Sequence, residues 1–168
     1  TEERFHNTGW IGDRAVAFLR GQAQSGVPWM LYCGFIHPHP PWVIPPRWSK
    51  LYRSHEMPLP FLPEDRASLM TWWNHFQNRY KWRDRGIDFN LLRAQRAFYH
   101  AAISFVDFQI GRMLAVLDAV GQAESTMVVF TSDHGEYLGA YGCYGKRGLH
   151  DFAARVPLLV RQPGVFPE

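Results

Sequence analysis

Apolar positions recur at helical spacing from Trp10 to Leu19, where Trp10, Ile11, Ala15, Phe18 and Leu19 share a face and Gly21 supplies a stop. The run Trp29–Ile36 is different. It is continuous, apolar and short, the pattern of a strand buried on both faces. Five prolines follow (Pro38, Pro40, Pro41, Pro45 and Pro46), and because proline lacks the N–H a sheet needs, they predict a rigid loop. Residues 47–89 have no clear period. They hold Pro58, Pro60 and Pro63, a helix-compatible stretch from Glu64, and an aromatic crowd at Trp72, Trp73, Phe76, Tyr80 and Trp82, and they read as an insertion with some helix.

The clearest element lies between Asn90 and Val120. Leu91, Phe98, Ala102, Phe105, Ile110, Met113, Leu114 and Leu117 fall mostly three or four apart, with Arg93, Arg96, Ser104, Arg112 and Asp118 between them. The pattern predicts a long amphipathic helix, with Asn90 as N-cap and Gly121 as its stop. Thr126–Thr131 and Val156–Val160 read as two further buried strands, the first ended by Ser132-Asp133-His134-Gly135 and the second by Gln162-Pro163-Gly164. A strand, helix, strand order predicts a layered α/β fold with a mostly parallel sheet.

In open α/β sheets, ligands bind beyond the carboxyl ends of the strands. Two predicted strands end in chemistry-bearing clusters: His37-Pro38-His39-Pro40-Pro41 after the first and Asp133-His134-Gly135 after the second. Asp133 offers a hard oxygen and His134 a borderline nitrogen, so together they are candidate ligands of a divalent ion; alternatively, Asp133 is a turn residue and His134 merely exposed. The loop beyond them is glycine-rich, from Gly139 to Gly148, and ends in Lys146 and Arg147, cations suited to a tetrahedral anion. Its spacing is not that of a phosphate-binding loop, because Gly148 stands where Ser or Thr is needed. His39, framed by two prolines, has the rigid setting of a preorganised site.

Composition changes this picture little. The 168 residues carry a net charge of +3, 46% hydrophobic and 15% aromatic residues, which argues for a globular chain with a bulky core rather than disorder. Cys33 and Cys143 fit no zinc spacing and leave a disulfide or free thiols open. No uninterrupted apolar run of membrane-spanning length is present, so no membrane span is expected. Arg79, Lys81, Arg83 and Arg85 interleave with Tyr80 and Trp82, the composition of a single-strand nucleic-acid surface, but a solvated helix face or loop is the better reading, a substrate-cleft lining is a third, and no nucleic-acid partner is expected.

The run Val128–Gly139 (Val-Val-Phe-Thr-Ser-Asp-His-Gly-Glu-Tyr-Leu-Gly) resembles the metal-site motif of the sulfatases. Gly142–Lys146, Arg155–Val160, Pro38-His39-Pro40-Pro41 and the helix around Asp107 resemble further stretches of that family. The likeness is strong over roughly 10–45 and 90–164 and weak over 50–88. It implies an alkaline phosphatase-like α/β fold, incomplete here, with 1–168 a partial sulfatase catalytic domain carrying an insertion-like segment at 47–89. It implies that Asp133 and His134 bind a divalent metal, usually Ca²⁺, with Mn²⁺ or Mg²⁺ as alternatives. Lys146 and His39 become catalytic and substrate-binding residues, Lys146 on the sulfate oxygens and His39 on the sulfate or the leaving oxygen. Arg155 would be structural.

The substrate implied is a sulfated small molecule or glycan. The formylglycine nucleophile is expected outside this chain, because neither Cys33-Gly34-Phe35 nor Cys143-Tyr144-Gly145 matches the Cys-x-Pro-x-Arg motif, and the paired aspartates that complete the metal site are absent. Ala140-Tyr141 also stands where many relatives carry Asp-His. His134 and the Pro-His-Pro-Pro loop equally suit a phosphonate monoester or phosphodiester hydrolase of the same superfamily.

Overall fold

The computed structural model describes residues 2–81 and 83–166. In chain order its elements are α1 (Asn7–Gln22), α2 (Pro46–Ser49), α3 (Arg66–Leu69), α4 (Trp72–Tyr80), α5 (Phe89–Ala119), β1 (Val128–Thr131), α6 (Asp151–Ala154) and β2 (Leu158–Arg161). β1 and β2 pair in a two-stranded sheet. The chain divides into two compact units. One comprises Thr1–Tyr52, Ala97–Val128 and Val160–Glu168; the other comprises Arg53–Arg96 and Val129–Leu159.

In the first unit, α1 supplies Val16 and Leu19 to a buried cluster with Val116, Leu117 and Ala123, against which Trp29, Leu31 and Met113 pack. Burial of each such aliphatic side chain contributes about 1.5–3 kcal/mol. Gly21 does not stop α1, which runs on to Gln22; a single glycine costs a helix only about 1 kcal/mol, and tertiary packing overrides it. Nearer its start, Gly9 and Gly12 give room to the backbone carbonyl of Glu3 and to the Gln109 side chain. Arg112 bonds both Gln109 Oε1 (2.6 Å) and Asp13 Oδ1 (2.7 Å).

Trp29–Ile36 forms no ladder among the described residues. Its burial alternates rather than covering both faces: Trp29, Leu31, Cys33 and Phe35 are partly buried, whereas Met30 and Tyr32 are 87% and 89% exposed. A two-residue period with one face inward is strand geometry, but a ladder also needs a neighbouring main chain. β1 and β2 are likewise shorter than the apolar runs that encode them, and almost all of their residues are exposed.

α5 matches the expected long helix, and Gly121 takes the left-handed conformation just beyond it (φ 70°). Its N-cap is Asp88, not Asn90. Asp88 Oδ1 accepts from the backbone N–H groups of Asn90 (2.9 Å) and Leu91 (3.0 Å), and its carbonyl accepts from Leu92. The carboxylate also complements the positive end of the helix dipole. By length and composition α5 is apolar enough to cross a membrane, although Arg93, Arg96, Asp107 and Arg112 interrupt its apolar run. Its buried Gln109, its Arg112–Asp13 pair and the Ser104–Tyr52 hydrogen bond are the marks of a helix packed within protein.

The loop after Trp29–Ile36 is anchored by a buried imidazole pair. His6 accepts from Thr8 N and donates from Nε2 to the Val43 carbonyl (2.8 Å), and its ring lies 4.7 Å from that of His37. His37 is 6% exposed, and its Nδ1 meets Thr8 Oγ1 at 3.0 Å. Burial, and secondarily the neighbouring His6, push its pKa from 6.5 down to about 4.

In the second unit, α4 inverts the usual amphipathic arrangement. Asn74, Gln77 and Asn78 are its buried residues, while Trp72, Trp73, Phe76 and Tyr80 are exposed; Trp72, Phe76 and Tyr80 stack along the helix and Trp73 meets Trp72 and Phe76 edge-on. Arg53–Arg96, which holds most of the insertion-like segment, clusters with Val129–Leu159.

Two outcomes follow. Asp88→Ala should lower stability by about 1 kcal/mol and Asn90→Ala by much less, read as denaturation midpoints at constant m-value. Between pH 6.5 and 4 the unfolded chain takes up a proton at His37 that the folded chain refuses. Stability should therefore fall as pH is lowered through that window, and His37→Asn should flatten the decline.

Candidate functional site

The residues after β1 make a short turn and then a glycine-rich loop. Gly135 is needed for close approach rather than for a left-handed bend: its N–H donates to the Ala153 carbonyl (2.8 Å), and a Cβ there would overlap the Phe152 carbonyl. The left-handed conformations fall later, where Leu138, Gly139, Tyr141, Gly142 and Gly145 all have positive φ. Gly139 combines a φ of 90° with a close approach to the Leu92 side chain, so a larger residue there would be strained and would displace Leu92.

This loop is closed at its base. Tyr137 N donates to the Gly145 carbonyl (2.9 Å), and Gly139 N to the Cys143 carbonyl (2.8 Å). Oε1 of Glu136 accepts from Leu138 N (3.1 Å) and Gly145 N (2.5 Å). α4 holds the far side, since Asn78 Nδ2 donates to the Gly142 carbonyl (3.0 Å) and Asn74 Nδ2 reaches the Arg147 carbonyl (3.5 Å). Asn74 also completes a capping box with Thr71. Beneath the loop, Tyr137, Ala140, Cys143 and Ala153 form a buried cluster. The Tyr137 hydroxyl donates to His150 Nδ1, because His150 Nε2–H is given to the Leu69 carbonyl (2.7 Å). Burial raises the pKa of both Tyr137 and the Cys143 thiol, which suits structural rather than reactive roles. Both cysteines are free.

Asp133, His134 and Lys146 converge. His134 Nδ1–H donates to the Gly135 carbonyl (2.8 Å), so in the neutral ring the lone pair is on Nε2. Lys146 Nζ lies 2.6 Å from that nitrogen, and Asp133 Oδ2 lies 3.4 Å from it. Asp133 is well exposed and His134 largely covered. Two donors that share an ion at roughly 2.0–2.6 Å, about a right angle apart, stand about 3–3.6 Å from each other. The Asp133–His134 spacing thus suits two donors to one divalent cation, while Lys146 Nζ takes the Nε2 lone pair in this structure. No group of three His, Cys, Asp or Glu ligands occurs among the described residues. His39 belongs to the other unit. It is exposed, its Nδ1–H donates to the Pro40 carbonyl (2.7 Å), and Nε2 is the nitrogen left to face outward chemistry.

The basic and aromatic stretch is engaged within its own unit. Arg79 pairs with Asp84 at 3.0 Å, and Arg83 lies over the Tyr144 ring at 4.3 Å. Trp82 lies outside the described residues. Sequence reasoning passed over Glu136, Asn74 and Asn78. Glu136 was visible as a carboxylate inside a glycine-rich run, but nothing local marks α4 as the partner of the loop.

A sulfatase family model matches residues 5–168. The multifunctional alkaline phosphatase superfamily protein PehA of Trinickia caryophylli is 30% identical over 96% of this chain and 34% of its own length. An arylsulfatase of Clostridium perfringens is 31% identical over 97% of this chain and 33% of its own length. Among solved structures, the phosphonate monoester hydrolase of Silicibacter pomeroyi superposes with a TM-score of 0.86 at 29% identity, over 98% of this chain and 34% of that one. The fold is therefore alkaline phosphatase-like α/β, and the chain spans about a third of the length of these relatives.

Gly135→Ala should cost about 1–3 kcal/mol through overpacking against Phe152, whereas Gly21→Ala, which meets nothing, should be neutral or stabilising. Paired thermal melts check the contrast.

Proposed function

The chain belongs to the sulfatase family, and from that premise we propose that it supplies part of the active site of a metal-dependent sulfuric ester hydrolase. The observation that carries the proposal is the convergence of Asp133, His134 and Lys146 on one exposed point. Asp133 Oδ2 and His134 Nε2 would hold the divalent ion. When bound, that ion would supply a concentrated positive charge for the oxygens of a tetrahedral ester. Ca²⁺ is the ion the family resemblance implies; the imidazole nitrogen is a donor that Mn²⁺ accepts more readily than Ca²⁺ or Mg²⁺.

Lys146 would give its ammonium to the non-bridging ester oxygens. Its present contact is a hydrogen bond into the His134 lone pair, the atom the ion would take, so with the ion bound the ammonium would turn from Nε2 toward the ester. A compact cation aimed at developing charge acts most strongly where water is excluded. His39 lies in the first unit; as a catalytic candidate it would act from Nε2, since Nδ1–H is already committed to Pro40. The substrate class is a sulfated sugar or small molecule. The relatives named for such activities include an iduronate 2-sulfatase of Homo sapiens and a choline-sulfatase of Rhizobium meliloti.

A second reading, hydrolysis of phosphonate monoesters or phosphodiesters, is favoured by the structural likeness. The phosphonate monoester hydrolase of Silicibacter pomeroyi superposes with a TM-score of 0.86 at 29% identity. A sulfate monoester and a phosphonate monoester present the same singly charged tetrahedral group, and Lys146 serves either. Matched aryl sulfate and phosphonate esters, assayed on the intact enzyme, rank the two readings by kcat/KM.

In that enzyme Lys146→Ala should lower kcat/KM by about 10²–10³ for the preferred ester, the scale of losing one transition-state donor. Unchanged turnover in both assays would remove Lys146 from the mechanism. Ca²⁺ takes six to eight ligands, so the chain by itself, contributing two, should bind Ca²⁺ or Mn²⁺ only weakly. Tight stoichiometric binding by calorimetry would contradict this assignment.

A further inference from the structure

Three glycines at positive φ (Gly139, Gly142 and Gly145) separate His134 from Lys146. Such a segment has wide conformational freedom, yet the two side chains meet at its ends. Something must select the one closure that brings them together. The backbone bonds Tyr137–Gly145 and Gly139–Cys143 narrow the loop, but neither takes up the N–H of Gly145, the residue immediately before Lys146. That donor goes to Glu136 Oε1, and the same oxygen receives Leu138 N–H.

We infer that Glu136 is a positioning residue for Lys146. Its carboxylate grips the loop where it leaves the metal-ligand turn and again where it returns, and so sets the ammonium against His134. Two features separate this from an ordinary surface carboxylate. Glu136 takes part in none of the ion pairs found among the described residues, and its recorded partners are both backbone donors. It is also half-buried, so water competes weakly for the bonds. The chain length matters as well. One oxygen must reach both Leu138 N and Gly145 N, and an aspartate, one methylene shorter, falls short of the second.

The inference rests on the hydrolase reading for its meaning, but its test needs neither metal nor turnover. The chain is labelled with ¹⁵N-histidine, and His134 is assigned by loss of its signals in His134→Gln. Its ring is then followed at one fixed pH near 7.5 by two-bond ¹H–¹⁵N correlation. Lys146→Met should move the His134 Nε2 resonance downfield as the lone pair loses its donor, with Nδ1 remaining the protonated nitrogen. Glu136→Ala and Glu136→Asp should reproduce that shift, whereas Glu136→Gln, which keeps an acceptor oxygen at full reach, should stay at the wild-type position. If Glu136→Ala fails to fold, the Asp and Gln variants decide between themselves, with equal melting temperatures as the control. An unmoved His134 resonance in Glu136→Asp, or a shift in Glu136→Gln as large as in Lys146→Met, overturns the inference. So does an unmoved resonance in Lys146→Met. An inactive intact enzyme would remove the hydrolase reading and leave these shifts standing.

Discussion

The hydrogen bond from His134 Nδ1 to the Gly135 carbonyl is the constraint on which the site turns. A carbonyl can only accept, so the bond assigns the ring proton to Nδ1 and leaves Nε2 as a lone pair. Only in that tautomer does the neutral ring present a donor atom beside Asp133 Oδ2 and an acceptor for Lys146. Gly135 is itself held in place, because its N–H donates to the Ala153 carbonyl and the Phe152 carbonyl occupies the space a side chain there would take. Packing at a glycine thus becomes the protonation pattern of an imidazole.

Around that point the second unit builds its site from polar contacts on a small apolar floor. Tyr137, Ala140, Cys143 and Ala153 are buried, but the loop above them is held by Glu136, Asn74 and Asn78 bonding to main chain. A loop with several positive-φ residues exposes many backbone groups, and each buried one needs a partner. This explains the inverted face of α4: the loop requires amides, so amides face inward and the aromatic residues are left outside. In the first unit the logic is reversed. Aliphatic packing of α1 on α5 carries that unit, and its buried polar groups, His6, Thr8 and His37, satisfy one another beneath the proline loop.

Much of this was legible in the chain. The period of α5 is long enough to average out local exceptions, and Asp133-His134-Gly135 with Lys146 is a compact motif whose residue types match one chemistry. The errors have specific causes. Asn90 and Asp88 are both good capping residues, and the choice between them depends on where the first turn closes. Gly21 is a weak stop once Val16 and Leu19 are packed. Trp29–Ile36 is apolar throughout, which hides its two-residue alternation of burial.

The sequence by itself carried the sulfatase resemblance in its motifs and the layered α/β class in its local periods, and it offered Asp133, His134, Lys146 and His39 as candidates by side-chain chemistry. Tertiary structure decided which glycine yields to a neighbour and which carboxylate closes the loop. It also decided which face of α4 turns inward and which nitrogen of His134 is free. Each of these depends on a partner distant in sequence, Ala153 for Gly135 and Gly142 for Asn78, and no local pattern names such a partner.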